Sequence, residues 1–100
     1  LITLAAGLIG GAMAHTPAHA QAKPVQIVAL GDSLTAGYGL PESAAFPRVL
    51  ERALRERGHA VTIVNAGVSG DTTAGGLERL DWSVPEGTDG VIVALGANDM

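Results

Sequence analysis

The sequence has no cysteine. Disulfides, thiolate chemistry, thiolate-ligated zinc and a cysteine-linked lipid anchor are therefore excluded for these 100 residues. Aromatic residues are nearly as scarce, with one each of Trp, Tyr and Phe, too few to build a surface on which bases stack. Basic residues number six against ten acidic ones, a net charge of −4, which leaves no cationic footprint for nucleic acid. Charge is sparse at 16% against 47% hydrophobic residues, the balance of a globular domain rather than a disordered tract. Long hydrophobic runs are missing too. The apolar stretch Leu1 to Ala14 falls short of the roughly 20 residues needed to span a bilayer, so no stable membrane anchor is expected.

That stretch leads into His15-Thr-Pro-Ala-His-Ala20, where Ala18-His19-Ala20 has the small-x-small form of a signal-peptidase site. Residues 1–20 read as an export signal, with Ala20-Gln-Ala22 as a second cleavage candidate that extends it to 22, and the protein is expected in the periplasm or secreted. The competing reading is an N-terminal core helix, but nothing on its first turns is polar enough to face water. The chain starts on Leu1, and Asn98-Asp99-Met100 follow directly on a strand-like run. Residues 23–100 are therefore expected to be the N-terminal part of a larger domain, truncated at the C-terminus. Oligomeric state is not readable.

After Lys23-Pro24, the run Val25-Gln-Ile-Val-Ala-Leu30 is almost continuously apolar, as in a strand buried on both faces. Gly31-Asp-Ser33 breaks it. A helix follows, with Phe46, Val49, Leu50, Ala53 and Leu54 in one apolar stripe that the Arg57 stem can flank. Pro47 suits its first position and Gly58 the position just past its end, while Glu51 and Arg55 make an i,i+4 pair. Ala60 to Val64 is a second strand, ending in Asn65-Ala-Gly-Val-Ser-Gly-Asp71. Asp71 or Thr72 can cap a short helix carrying Leu77 and Leu80, which Gly75 and Gly76 weaken. Trp82, between that helix and a loop, reads as packing. Gly90 to Leu95 is a third strand, ending in Gly96-Ala-Asn-Asp99. The order β-α-β-α-β predicts an α/β fold, a flavodoxin-like three-layer α/β/α arrangement with a parallel sheet and right-handed crossovers, only the first three strands being present.

A serine at a strand-to-helix bend is by itself more often a cap or turn residue. Its company changes that. In a parallel sheet the three strand ends share one edge, where ligands and chemistry collect. Ser33, a glycine with an approachable N–H and an asparagine amide can then meet around one small cavity. Acyl transfer needs an attacking hydroxyl and donors aimed at the oxygen that becomes negative. Glycine lets a ligand approach the main chain closely, and the asparagine NH₂ donates without a charge that moves with pH. Asp32 is expected to hold the turn by bonds to local N–H groups.

Gly31-Asp-Ser-Leu34, Asn65-Ala-Gly-Val-Ser-Gly-Asp71 and Gly96-Ala-Asn-Asp99 resemble the first three blocks of the GDSL, or SGNH, hydrolases. Within that family the similarity is greatest to the exported bacterial group of thioesterase I, lysophospholipase L1 and arylesterase type. It covers Ile27 to Met100. The resemblance implies an SGNH-hydrolase fold and a serine esterase acting on small-molecule esters or thioesters, without metal or organic cofactor. It makes Ser33 the nucleophile and a backbone N–H donor, Gly67 a second backbone donor and Asn98 a side-chain donor to the same oxyanion. The family's fourth block, Asp-x-x-His, is not in these residues. His15 and His19 fall in the export segment, and His59 lies before the second strand, at the far edge of the sheet, beyond hydrogen-bond reach of Ser33. The G-x-S-x-G elbow of α/β-hydrolases is absent, because Thr35 stands where its second glycine belongs. Two alternatives stay open: a carbohydrate O-deacetylase of the same fold, and a non-catalytic flavodoxin-like module binding an anion on strand-end N–H groups.

Overall fold

In the computed structural model, which describes residues 23–100, the apolar run after Pro24 is the central strand of a three-stranded parallel sheet. The export segment expected at residues 1–20 or 1–22 lies outside the described residues. The elements are β1 (Val25–Gly31), α1 (Ser33–Ala36), a 3-10 turn (Glu42–Ala44), α2 (Phe46–Glu56), β2 (Val61–Gly67), α3 (Thr73–Glu78), α4 (Leu80–Ser83) and β3 (Gly90–Ala94). The strand order is β2-β1-β3, with Gly31 in register with Gly67 on one side and Ala94 on the other.

Val28, Ala29 and Leu30 are consecutive and all buried. Successive strand side chains point to opposite faces, so both faces of β1 are covered. On one face Ala29, Val61 and Ile63 pack against Leu50 and Leu54 of α2. On the other, Leu30 and Val93 lie with Leu77 and Leu80 of α3 and α4. This is the expected three-layer arrangement. β2 runs three residues further than its apolar pattern, because Asn65, Ala66 and Gly67 pair with Ala29, Leu30 and Gly31. Ladder pairing with β1 overrides the weak strand preference of Asn and Gly.

Helix α2 has Pro47 in its first turn and Gly58 at φ +91° just beyond its last residues, as expected. Its buried face is the expected stripe only in part, since Leu50 and Leu54 pack against the core as expected. Pro47 and Glu51 are buried, whereas Phe46 and Val49 remain 37% and 43% exposed. The cause is the edge of the sheet. β2 is an outer strand, and its outward N–H and C=O groups need partners. Glu51 Oε1 accepts the Ile63 N–H at 2.7 Å, and Arg55 Nε donates to the Val61 carbonyl at 2.8 Å. The second Glu51 oxygen takes Arg48 Nη1 at 2.7 Å and faces Arg55 at 3.7 Å.

The Ile63 N–H foremost, and then Arg48 and Arg55, hold the Glu51 carboxyl below its usual range, against the opposing effect of burial. A carboxyl whose folded value is lowered contributes stability above the unfolded value of about 4.3. That contribution is lost as pH falls through the folded value. Glu51→Gln should therefore lower the melting temperature of the whole protein at pH 7, with a gap to the parent that narrows by pH 3. Equal gaps at the two pH values in thermal unfolding would refute this account.

Candidate active site

The turn after β1 is held by Asp32. Its carbonyl accepts the N–H groups of Thr35 and Ala36 at 3.1 and 2.9 Å, and its Oδ1 accepts the Leu34 N–H at 3.0 Å. Asp32 is thus the cap of α1, as expected of a turn-holding carboxylate. Ser33 is left without that task. Its carbonyl accepts from Gly37 and Tyr38, but among the described residues neither its N–H nor its hydroxyl makes a hydrogen bond. It is half-buried, at the carboxyl edge of the sheet.

Gly67 faces α1 directly. A Cβ there would run into Ala36 N and would lie 2.8 Å from both Ala36 Cα and Thr35 C. What approaches this glycine so closely is the protein's own backbone. Its N–H donates to Asn65 Oδ1 at 2.9 Å, while Asn65 Nδ2 donates to the Thr35 carbonyl at 3.0 Å. Asn65, which the sequence reading gave no role, therefore clamps the end of β2 to the helix that Ser33 begins. Asn98 is exposed in the loop after β3, and its Nδ2 donates to the Asp71 carbonyl at 2.9 Å, which leaves one amide proton over. The structure ties Asn98 to the loop after β2 rather than directly to the Ser33 turn.

The neighbouring acids divide the work of holding these loops. Asp99 accepts the Thr73 N–H at 2.8 Å and the Thr73 hydroxyl at 2.7 Å. The hydroxyl first, and then the N–H, lower its carboxyl below the ordinary range. Thr72 is the cap of α3, accepting the Gly75 N–H at 3.0 Å. Asp71 is instead an ion-pair partner, with Arg79 Nε at 2.7 Å. Sequence reasoning missed Arg79. The available signal was a charged residue set between Leu77 and Leu80 on a short helical stretch.

His59 is exposed and precedes β2, whose seven residues at about 3.3 Å each put it roughly 20 Å from the carboxyl edge. The packing expected of Trp82 is not found among the described residues. It is 73% exposed, in a groove shared with Gln26 and Thr88 near the opposite edge. Among the described residues, no group of three or more His, Asp or Glu side chains is placed to hold a metal ion. The arrangement offers an unengaged hydroxyl and N–H on Ser33, beside a glycine backbone, with a spare amide proton on the third loop.

The family model for the GDSL-like lipase/acylhydrolases matches residues 29–100. An arylesterase of Vibrio mimicus is 47% identical over 75 residues, which is 74% of this chain and 38% of that protein. Esterase TesA of Pseudomonas aeruginosa is 37% identical over 93 residues, or 92% of this chain and 46% of that protein. The crystal structure of AlinE4, an SGNH-hydrolase family esterase, superposes with a TM-score of 0.73 at 48% identity, covering 78% of this chain and 43% of that one. The chain spans less than half the length of these relatives.

Proposed function

Because the chain belongs to the GDSL-like lipase/acylhydrolase family, we propose that the protein is a serine esterase cleaving carboxylic ester or thioester bonds through an acyl-enzyme on Ser33. The observation that carries this is the division of labour in one turn: Asp32 caps α1, so the Ser33 hydroxyl is spared that duty. Ser33 Oγ attacks the acyl carbon, and its proton passes to the histidine of the family's Asp-x-x-His block, which these residues do not contain. The oxyanion takes the Ser33 N–H, the Gly67 N–H and the remaining amide proton of Asn98. To donate, the Gly67 N–H shares or leaves its bond to Asn65 Oδ1. Collapse expels the alcohol or thiol, which takes the proton from the histidine. Water then attacks the acyl-enzyme, and Ser33 regains its proton as the acid leaves. Residues 23–100 supply the nucleophile and the oxyanion donors, and residues 1–20 direct export to the periplasm or beyond.

One experiment tests these points. The whole protein is recovered from the producing cells, treated with a fluorophosphonate, weighed intact and mapped by peptide. The expected result is a single phosphonyl adduct on Ser33 and an N-terminus at Gln21 or Lys23. An unlabelled protein that binds anions reversibly would replace the esterase by a binding module. A retained leader in the membrane fraction would remove export.

A further inference from the structure

We propose that Arg79 is a positioning residue that sets the place of Asn98 by holding Asp71 to the end of β1. The inference rests on the esterase reading for its catalytic consequence, though not for its geometry.

Arg79 is 8% exposed, and each guanidinium nitrogen has a partner. Nη2 donates to the Gly31 carbonyl at 3.1 Å, Nη1 to the Ser83 hydroxyl at 3.0 Å and Nε to Asp71 Oδ2 at 2.7 Å. Gly31 is a sound anchor, because it is paired in the central strand and its carbonyl also accepts the Val68 N–H at 3.0 Å. From that fixed point the guanidinium reaches across to Asp71, and the Asp71 carbonyl receives Asn98 Nδ2 at 2.9 Å. Asp71 is further steadied by the Thr72 N–H on Oδ1 at 3.1 Å. Gly75 leaves room for its carboxylate, since a Cβ at that position would overlap Asp71 Oδ1. The glycine that weakens α3 by propensity is therefore what lets Asp71 sit where Arg79 grips it.

A buried ion pair is seldom the most stabilising choice for its volume, as packed apolar side chains often do as well or better. Its use here is geometric. An apolar residue could fill the space but could not span a carbonyl on one strand end and a carboxylate on the next loop. The planar guanidinium does so with donors in a fixed fork. Lysine, a point charge, can meet Asp71 or Gly31, but it cannot hold both in this geometry.

The test is a cycle of Arg79→Lys and Asn98→Ala in the whole protein. It is read by ester turnover and by the NMR signal of the Asn98 side-chain NH₂, assigned by its loss in Asn98→Ala. Arg79→Lys should lower kcat between about 10- and 100-fold with KM unchanged, because a misplaced donor is felt mainly in the transition state. It should also shift the Asn98 amide signal. Asn98→Ala alone should cost on the order of 10²–10³ in kcat. In that background Arg79→Lys should cost less than about threefold more, since residues acting through one another are not additive. Full kcat with only a lowered melting temperature would overturn the proposal, as would equal losses in both backgrounds. If the parent hydrolyses no ester, the esterase reading falls by itself. The amide signal still decides Arg79: unmoved by Arg79→Lys, it refutes the positioning role.

Discussion

Ser33→Ala in the whole protein is expected to lower ester turnover by at least about 10⁴-fold and to leave the melting temperature within about 2 °C of the parent. The two halves of this result have separate reasons. Turnover falls because the proposed acyl intermediate forms on the Ser33 hydroxyl, which alanine lacks. The oxyanion donors that remain stabilise a charge that water alone forms slowly. Stability holds because the Ser33 hydroxyl makes no hydrogen bond among the described residues. The turn is held by Asp32, and alanine is at least as good a helix former as serine. Turnover within tenfold of the parent would remove Ser33 as nucleophile. A collapse in melting temperature would mean that the hydroxyl has a structural partner outside residues 23–100.

Gly67→Ala should fail in a different way, losing stability and turnover together. The added methyl meets the main chain of Ala36 and Thr35, not the tip of a flexible side chain. Backbone of a hydrogen-bonded helix cannot step aside alone, so α1 moves as a unit and carries Ser33 with it. Overpacking of this kind costs about 1–3 kcal/mol, sometimes more. A loss of that size lowers the melting temperature by several degrees. Measured well below that temperature, kcat should still fall at least about tenfold, because a displaced nucleophile loses its attack geometry. An unchanged melting temperature would show that the contact with α1 is not made. A lowered one with full kcat would show that α1 does not fix the nucleophile.

The strands were legible because β-branched apolar runs bounded by glycine and polar turns have few other uses. The ends of α2 were legible for local reasons as well, Pro47 at its start and Gly58 at its finish. Its buried face was legible only in part, at Leu50 and Leu54. Whether Glu51 turns inward depends on β2 being an outer strand with an unpaired N–H at Ile63, a property of strand order that no window of sequence contains. The same limit applies at the site. Gly67 could be recognised as a place of close approach, but not that α1 is what approaches. Arg79 was missed because its meaning lies in partners 8 and 48 positions away, Asp71 and Gly31. Asn65 escaped because an asparagine at a strand end looks like a turn residue, whereas here its Nδ2 joins β2 to α1 while its Oδ1 holds the Gly67 N–H within β2.

The two sides of the sheet differ in how they treat a newcomer. Along β2, the Ile63 N–H and the Val61 carbonyl are already taken by charged side chains of α2, so an arriving strand must first break charge-assisted bonds. Along β3, among the described residues, no side chain bonds the main-chain groups on the strand's outer side. Growth of the sheet by main-chain pairing is therefore one-directional. Any strand that joins it, whether from its own polypeptide during folding or from another molecule at high concentration, joins beside β3. That makes β3 the side to protect when the isolated residues are handled.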